Sequence, residues 1–380
     1  MNAIKILFIS IFLLSISSFQ SCKKQEEDTS FPILEPVDIQ TNVKVIHDEL
    51  EGTNLVVAGS NASNFIVVFE RTLADGTELD FEVADKRLPI LMQDNEGNEW
   101  DIFGMATSGP RKGEKLVSTN SYMGYWFSWA AFHPDLEIYG EAPSTVPAPT
   151  PNSTEGWLVP QNEVLGGGPG LDGIPSLENP ERVDIQSMYG VNGNNFLEED
   201  DLVVGIRVGD EIRAYPHRVM DWQEIINDDN EEEKLAIIYC PLTGTATAWN
   251  RNVNGSTTTF GVSGLLYNTN IMPFDRTTLS FWSQMRGDCI NGDLIGMEVD
   301  IYPVFETSFR TWRGLFPNSE IVTTETGFQR DYTDYPYGDY RTNEQLIFPV
   351  SNLDDRLPLK ERVLGVIVDG KAKTYRLQSF

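Results

Sequence analysis

The feature that most constrains this chain is that it repeats itself. Trp100, Gly113, Trp129, Pro134 and Ile138 recur as Trp282, Gly296, Trp312, Pro317 and Ile321 at offsets of 182 or 183 residues. Upstream, Val45-Ile46-His47-Asp48 aligns with Ile225-Ile226-Asn227-Asp228, and Phe69-Glu70-Arg71 with Trp249-Asn250-Arg251, both at offset 180. Asp94 meets Asp275 at 181. A third match, Val204 to Tyr215 against Leu364 to Tyr375, has offset 160. Both copies of it read as β-hairpins, with alternating apolar residues around Gly-Asp or Asp-Gly. In the second copy the hairpin precedes the aligned segment, whereas in the first it is missing from the front. By alignment Phe380 corresponds to Met220 and Thr41 to Asp221. This predicts two pseudo-equivalent halves in which the C-terminal hairpin completes the first copy and closes the fold, bringing residues near 41 and 380 together. A diverged tandem repeat without closure is the alternative.

Turn residues are dense and helical periodicity is scarce, so the expected class is mainly β with some helices (α+β), built of antiparallel sheets. Strands are expected over 64–69, 235–240, 245–249 and 257–262, and helices over 126–132, 217–227 and 307–315. Trp100 and Trp282, and Trp129 and Trp312, read as core because they repeat. The organisation expected is a leader at 1–21, a tether at 22–40, a first, degenerate repeat at 41–140, a Pro/Gly-rich connection at 141–200, a second repeat at 201–325, and a connection with the closing hairpin at 326–380. A connection of that length is either disordered or functional.

The leader has Lys5 ahead of an apolar run from Ile6 to Ile16, then Phe19-Gln20-Ser21-Cys22. It resembles a bacterial lipoprotein signal cleaved before Cys22, whose thiol would carry lipid; an ordinary secretory signal is the alternative. Two or more acyl chains anchor stably where one does not. The expected address is extracytoplasmic and lipid-anchored at the outer membrane, on its periplasmic or surface face. Lys23-Lys24-Gln25-Glu26-Glu27-Asp28 resembles the acidic signals that follow the lipidated cysteine in surface-exposed lipoproteins, and also reads as a solvated tether. Lys and Arg number 28 against 57 Asp and Glu, a formal net charge of −29. Repulsion at that charge argues against nucleic acid or an anionic lipid surface as partner. Three cysteines are too few for a disulfide scaffold. Cys240 and Cys289 either pair or are both free.

Candidate chemistry clusters in the second copy. Cys240-Pro241-Leu242-Thr243-Gly244-Thr245 closes an apolar strand and opens a turn. A thiol there could be a nucleophile with His217 as its base, or a small buried hydrophobe. Cys-x-x-Thr is not a dithiol motif. His217, Asp221, Glu224 and Asp228, spaced 4, 3 and 4, would share one face of a helix. That stripe could bind a small ligand or a divalent cation, or be a solvated face opposite Val219, Trp222 and Ile226. No cofactor motif or dedicated metal set is identifiable. Tyr215, Thr243, Gly244, Thr245, Ser263, Asn268 and Asp275 are the polar residues expected around the site. Arg251 and Arg276, like Arg286, would clamp a carboxylate or pair internally. Gly261-Val262-Ser263-Gly264-Leu265 lacks the last Gly of a nucleophile elbow and reads as a tight turn. Gly166-Gly167-Gly168 has amides that could cradle an anion, without the Lys-Ser/Thr of a phosphate loop.

YPHRVMDWQEIINDD from Tyr215, YCPLTGTATAWNR from Tyr239, FGVSGLLYNTN from Phe260, and FDRTTLSFWSQMRGD from Phe274 together resemble the family called domain of unknown function 3179, found in bacteria and archaea. The likeness extends upstream through EVLGGGPGLDGIPSLENP at 163–180, downstream through GFQRDYTDYPYGDY at 327–340 and Leu346 to Val350, and so over nearly all of the chain after the leader. It implies no established activity. The family pattern often has a second Cys where this chain has Thr243 and a His where it has Gln223; both departures weaken a redox or Cys/His metal reading. The leading function is binding of a small polar or anionic molecule. An enzyme using Cys240 and His217, and a structural surface protein, are the alternatives. If Cys22 is the lipidation site, an alkyne fatty acid fed to expressing cells labels the protein, and Cys22→Ser abolishes the label and moves the protein to the soluble fraction.

Overall fold

The computed structural model describes residues 42–141, 153–188 and 196–380. The leader, Cys22, the tether and parts of the 141–200 connection lie outside them. Over these residues the chain is mainly β, with largely antiparallel sheets and four short helices: α1 (Trp126–Phe132), α2 (Ile185–Met188), α3 (His217–Gln223) and α4 (Phe309–Leu315). Among the described residues no sheet closes into a barrel.

Three sheet patterns each occur twice. Lys44–Leu50, Thr53–Ser60 and Phe65–Glu70 form an antiparallel meander, as do Ile225–Asp229, Lys234–Cys240 and Thr245–Asn250. Phe81–Val83, Ile90–Asp94, Glu99–Asp101 and Ala106–Ser108 pair in sequence order, as do Phe260–Tyr267, Asn270–Asp275, Phe281–Ser283 and Asp288–Asn291. In the third pattern a hairpin is flanked by an antiparallel strand on one side and a parallel strand on the other. Phe305–Ser308 and Glu320–Val322 flank the hairpin Leu202–Val208/Glu211–Pro216. Asn120–Tyr125 and Glu137–Ile138 flank the hairpin Arg362–Val368/Lys371–Arg376 in the same senses. The C-terminal hairpin therefore pairs with strands from residues 120–138, more than two hundred positions earlier.

Alternation along the central strand Lys234–Cys240 explains why it is buried on both faces. Leu235, Ile237 and Tyr239 enter one apolar cluster, and Ala236, Ile238 and Cys240 enter another. The 153–188 part of the connection packs on the body: Val164–Gly166, Leu177–Glu178 and Arg182–Asp184 each add an edge strand to one of the sheets.

The repeated landmarks are repeated contacts. Trp100 donates its indole N–H to Asp94 at 2.8 Å, and Trp282 donates to Asp275 at 3.2 Å. Asp48 accepts from the Tyr375 hydroxyl at 2.7 Å and pairs with Lys373 at 3.2 Å. Asp228 accepts from the Tyr215 hydroxyl at 2.6 Å and pairs with Arg213 at 3.1 Å and Arg182 at 2.7 Å. Trp129 lies against Gly365 and Trp312 against Gly205, so closely that a Cβ on either glycine would overlap the indole. All four tryptophans are fully buried, as core residues should be. Lys44 donates to the Ser379 carbonyl at 2.7 Å, so the first described strand touches the end of the chain.

Local expectations need three corrections. The helix expected over 217–227 stops at Gln223, because Glu224 takes a left-handed conformation (φ 58°) and Ile225–Asp229 continues as a strand. Ile225 and Ile226 are β-branched and fully buried, and pair with Ile238 and Ile237, so the sheet outcompetes the helix. The helix expected from 307 begins at Phe309, since Thr307 and Ser308 end a strand and Ser308 caps the helix through the Thr311 amide. Ser263-Gly264 is no turn: it lies within strand Phe260–Tyr267 at a register irregularity, with Gly264 at φ 74°.

Replacing Gly365 by Ala forces a methyl into the Trp129 indole. It should lower the free energy of unfolding by about 1–3 kcal/mol in urea titrations, whereas Gly296→Ala, with open space at its Cβ, should lower it by about 1 kcal/mol through its positive φ alone.

Candidate functional site

Four chain segments meet where strand Asn120–Tyr125 ends, strands Leu202–Val208 and Arg362–Val368 begin, and α3 starts. They enclose a cavity of about 290 Å³ lined by Tyr125, Asp200, Asp201, Leu202, His217, Arg218, Tyr239, Gly244, Arg341, Lys360 and Arg362. Pro216, with φ −65°, fixes the turn from strand into α3, so His217 is the first helical residue and points inward. Its ring packs on Tyr239, centroids 4.2 Å apart. His217 is almost fully buried, yet neither ring nitrogen has a hydrogen-bond partner among the described residues. The nearest carboxylate oxygen, on Glu306, is 3.6 Å from Nε2. Burial, then the Arg341 and Arg362 guanidinium charges, hold the imidazole well below its ordinary pKa, which favours its neutral form.

The two arginines are each held by one buried acid. Arg341 pairs with Asp221 at 2.6 Å, reaches the Tyr239 hydroxyl at 3.3 Å and lies 4.0 Å over the Tyr335 ring. Arg362 pairs with Glu306. Asp221 follows His217 by one helical turn, so both sit on the α3 face toward Arg341. Burial pushes the Asp221 carboxyl up to about 7 against the pull of Arg341, and raises Glu306 against Arg362 and Arg341. Lys360 donates to the carbonyls of Asn343 and Gln345, both at 2.8 Å, and lies 3.5 Å over the Tyr340 ring. No carboxylate among the described residues is within ion-pair distance of it. Arg218 pairs with Asp201 at 2.6 Å and with Glu198 at 3.2 Å. Tyr125 lays its ring on Gly244, whose φ of 62° closes the turn after Cys240.

Of the residues singled out from sequence, His217 and Gly244 line this cavity, and Asp221 stands behind Arg341. The helical stripe does not form beyond Asp221. Glu224 accepts from the Tyr337 hydroxyl at 3.1 Å, with burial pushing its carboxyl up to about 7. Asp228 sits in the strand and Tyr215 bonds to it. Thr243 and Thr245 belong to a buried network with Asn270 and Gln284, with bonds of 2.7–3.2 Å. Ser263 donates to the Met272 carbonyl, Asn268 accepts from Ser351, and Asp275 accepts from Thr277, Thr278 and Trp282. Arg251 is paired with Asp229, Arg276 with Asp172 and Glu178, and Arg286 with Asp288. The Gly167 amide donates to the Gly264 carbonyl. Arg341, Lys360 and Arg362 are not among the residues singled out from sequence: Arg341 stands immediately after the quoted 327–340 motif, Lys360 just before the C-terminal hairpin, and Arg362 is the hairpin's first residue.

Cys240 and Cys289 are both free and buried. Because Tyr239 faces His217, its neighbour Cys240 points to the opposite face of the strand. Its thiol meets the Thr269 carbonyl at 3.7 Å. Burial pushes it up to about 11, with the nearby Glu224 charge adding to the rise. Nothing here generates a thiolate, and the arrangement weighs against Cys240 and His217 as a catalytic pair. Among the described residues no cluster of three or more His, Cys, Asp or Glu side chains is placed to hold a metal ion. In native protein at pH 7.5 neither thiol should react with iodoacetamide within an hour, and both should react within minutes in 6 M guanidinium; rapid native alkylation of Cys240 would reinstate the nucleophile.

The model of the family described as Protein of unknown function (DUF3179) matches residues 32–136 and 171–380. No curated protein and no solved structure matches the chain. The family match spans both meanders, both hairpins and every residue lining the cavity, and the chain belongs to that family.

Proposed function

We propose that this is a lipid-anchored extracytoplasmic protein that binds a small anionic molecule in the cavity between His217, Arg341 and Arg362. The observation that carries the reading is His217: a buried imidazole whose two nitrogens have no hydrogen-bond partner among the described residues, on the wall of a cavity. Leaving such groups unsatisfied costs about 1–3 kcal/mol each, and a ligand's polar atoms would recover that cost. Sign of charge is the second support. Four cations and two carboxylates line the wall in a chain with twice as many acids as bases. The two carboxyls behind them, Asp221 and Glu306, are biased by burial toward their neutral forms. Guanidinium groups pre-positioned by Tyr239, Tyr335 and Glu306 suit bidentate recognition of a carboxylate or phosphate. The anchor reading rests on the apolar leader ending at Cys22.

Isothermal titration of phosphate, sulfate, mono- and dicarboxylates, neutral sugars and divalent metals tests the proposal. Heat is expected from one anion class and not from neutral sugars. Arg341→Gln and His217→Phe should each weaken that binding tenfold or more; His217→Phe should do so without a large fall in Tm, whereas Arg341→Gln, which leaves the buried Asp221 without its partner, should also lower Tm. Affinity should rise as pH falls from 8 to 6, because protonating Asp221 frees Arg341 for the ligand. Silence across the anions, or binding indifferent to both substitutions, would overturn the reading.

A further inference from the structure

A second cavity, of about 180 Å³, lies apart from the first and has a different chemistry. Its walls are the apolar side chains of Ile66, Val68, Phe305 and Leu364, all buried, from the first meander and from strands of the two hairpin sheets. Protein interiors are packed at crystal-like density, and an apolar space this size forfeits contact energy unless something fills it. An engineered apolar cavity of about 150 Å³ holds a benzene-sized molecule, so this one is large enough for a single ring.

Its lining is not wholly apolar. Lys115 and Arg207 stand on the wall together with Tyr302. Arg207 is committed to Asp101 at 2.9 Å and to the Gly209 carbonyl at 3.1 Å. Lys115 is exposed, and its ammonium lies 5.8 Å from the centre of the Tyr302 ring. It has no carboxylate within ion-pair distance among the described residues. Here a cation in a strongly acidic chain, outside ion-pair reach of any described carboxylate and influenced at longer range by Asp101 and Arg207, adjoins an apolar chamber. The combination suits a molecule with an apolar body and one negative charge at its end.

We propose that this cavity binds a small amphipathic carboxylate, its ring or chain among Ile66, Val68, Phe305 and Leu364 and its carboxylate on Lys115. The proposal does not depend on the function proposed for the His217 cavity. Saturation-transfer NMR and calorimetry with benzoate, benzyl alcohol and benzylamine on the full chain test it. Benzoate should bind, and benzyl alcohol and benzylamine at least tenfold more weakly. Lys115→Glu, a change at an exposed position, should cut benzoate affinity tenfold or more with Tm unchanged. Val68→Phe should abolish binding by filling the chamber, and Arg341→Gln should leave it intact. No benzoate binding overturns the proposal. So do equal binding of the three probes and affinity that survives Lys115→Glu. Loss of binding in Arg341→Gln would assign benzoate to the other cavity and overturn it as well.

Discussion

The pairing of the C-terminal hairpin with strand Asn120–Tyr125 is the interaction on which the rest depends. It brings residues 362–376 to residues 120–138, and with them come Lys360 and Arg362, two of the four cations of the His217 cavity. Backbone pairing alone gives little specificity of register. Two side-chain contacts supply it. Trp129 fits only over a residue without a side chain, and Gly365 is that residue. Asp48 is bonded by Tyr375 and Lys373, which ties the hairpin to the first meander as well. Hydrogen bonds to a charged group contribute about 1.5–3 kcal/mol each. The same devices, Trp312 on Gly205 and Asp228 with Tyr215 and Arg213, hold the other hairpin.

That architecture explains why the cavity has both its position and its charge. Strand ends from two hairpin sheets converge on it, and the Glu306–Arg362 pair links a strand of one sheet to a strand of the other. The two buried acids behind the cavity, Asp221 and Glu306, are each matched to a guanidinium, which avoids the several kcal/mol penalty of an uncompensated buried charge. Among the four cations of the wall, Lys360 alone has carbonyls and an aromatic ring rather than a carboxylate partner among the described residues. A low-dielectric cleft with that bias concentrates positive potential locally within an acidic molecule.

The β-rich class and the β-hairpins were legible in the sequence because they rest on alternation and on repeated Trp, Gly and Asp landmarks. The family was legible from long motifs. The helix expected over 217–227 forms at 217–223, and its end is overrun because the i, i+4 polar spacing continues into a strand. Ile225-Ile226 lies opposite Val45-Ile46 in the repeat, and both are strands, so the repeat held the correction. At the candidate cavity, His217, Gly244 and Asp221 stand within the motifs and were legible as candidates. Arg341, Lys360 and Arg362 were not, because only the long-range pairing of the C-terminal hairpin brings them to His217. Arg251 and Arg276 looked equally available in one dimension, but close acids engage them. Cys240 attracted notice as a rare residue at a strand end. Its orientation depends on strand parity, which sends it away from His217.

The central claim is that the His217 cavity is an anion site, and the histidine itself reports on it. The chain has three histidines, His47, His133 and His217, so long-range ¹H–¹⁵N spectra are simple, and loss of one signal in His217→Phe gives the assignment. The account predicts that His217 is neutral and does not titrate between pH 5.5 and 8 without ligand. On addition of phosphate or a dicarboxylate its ring nitrogens alone should shift, saturably. A His217 that titrates near 6.5, and whose shifts are indifferent to every anion, would contradict the account.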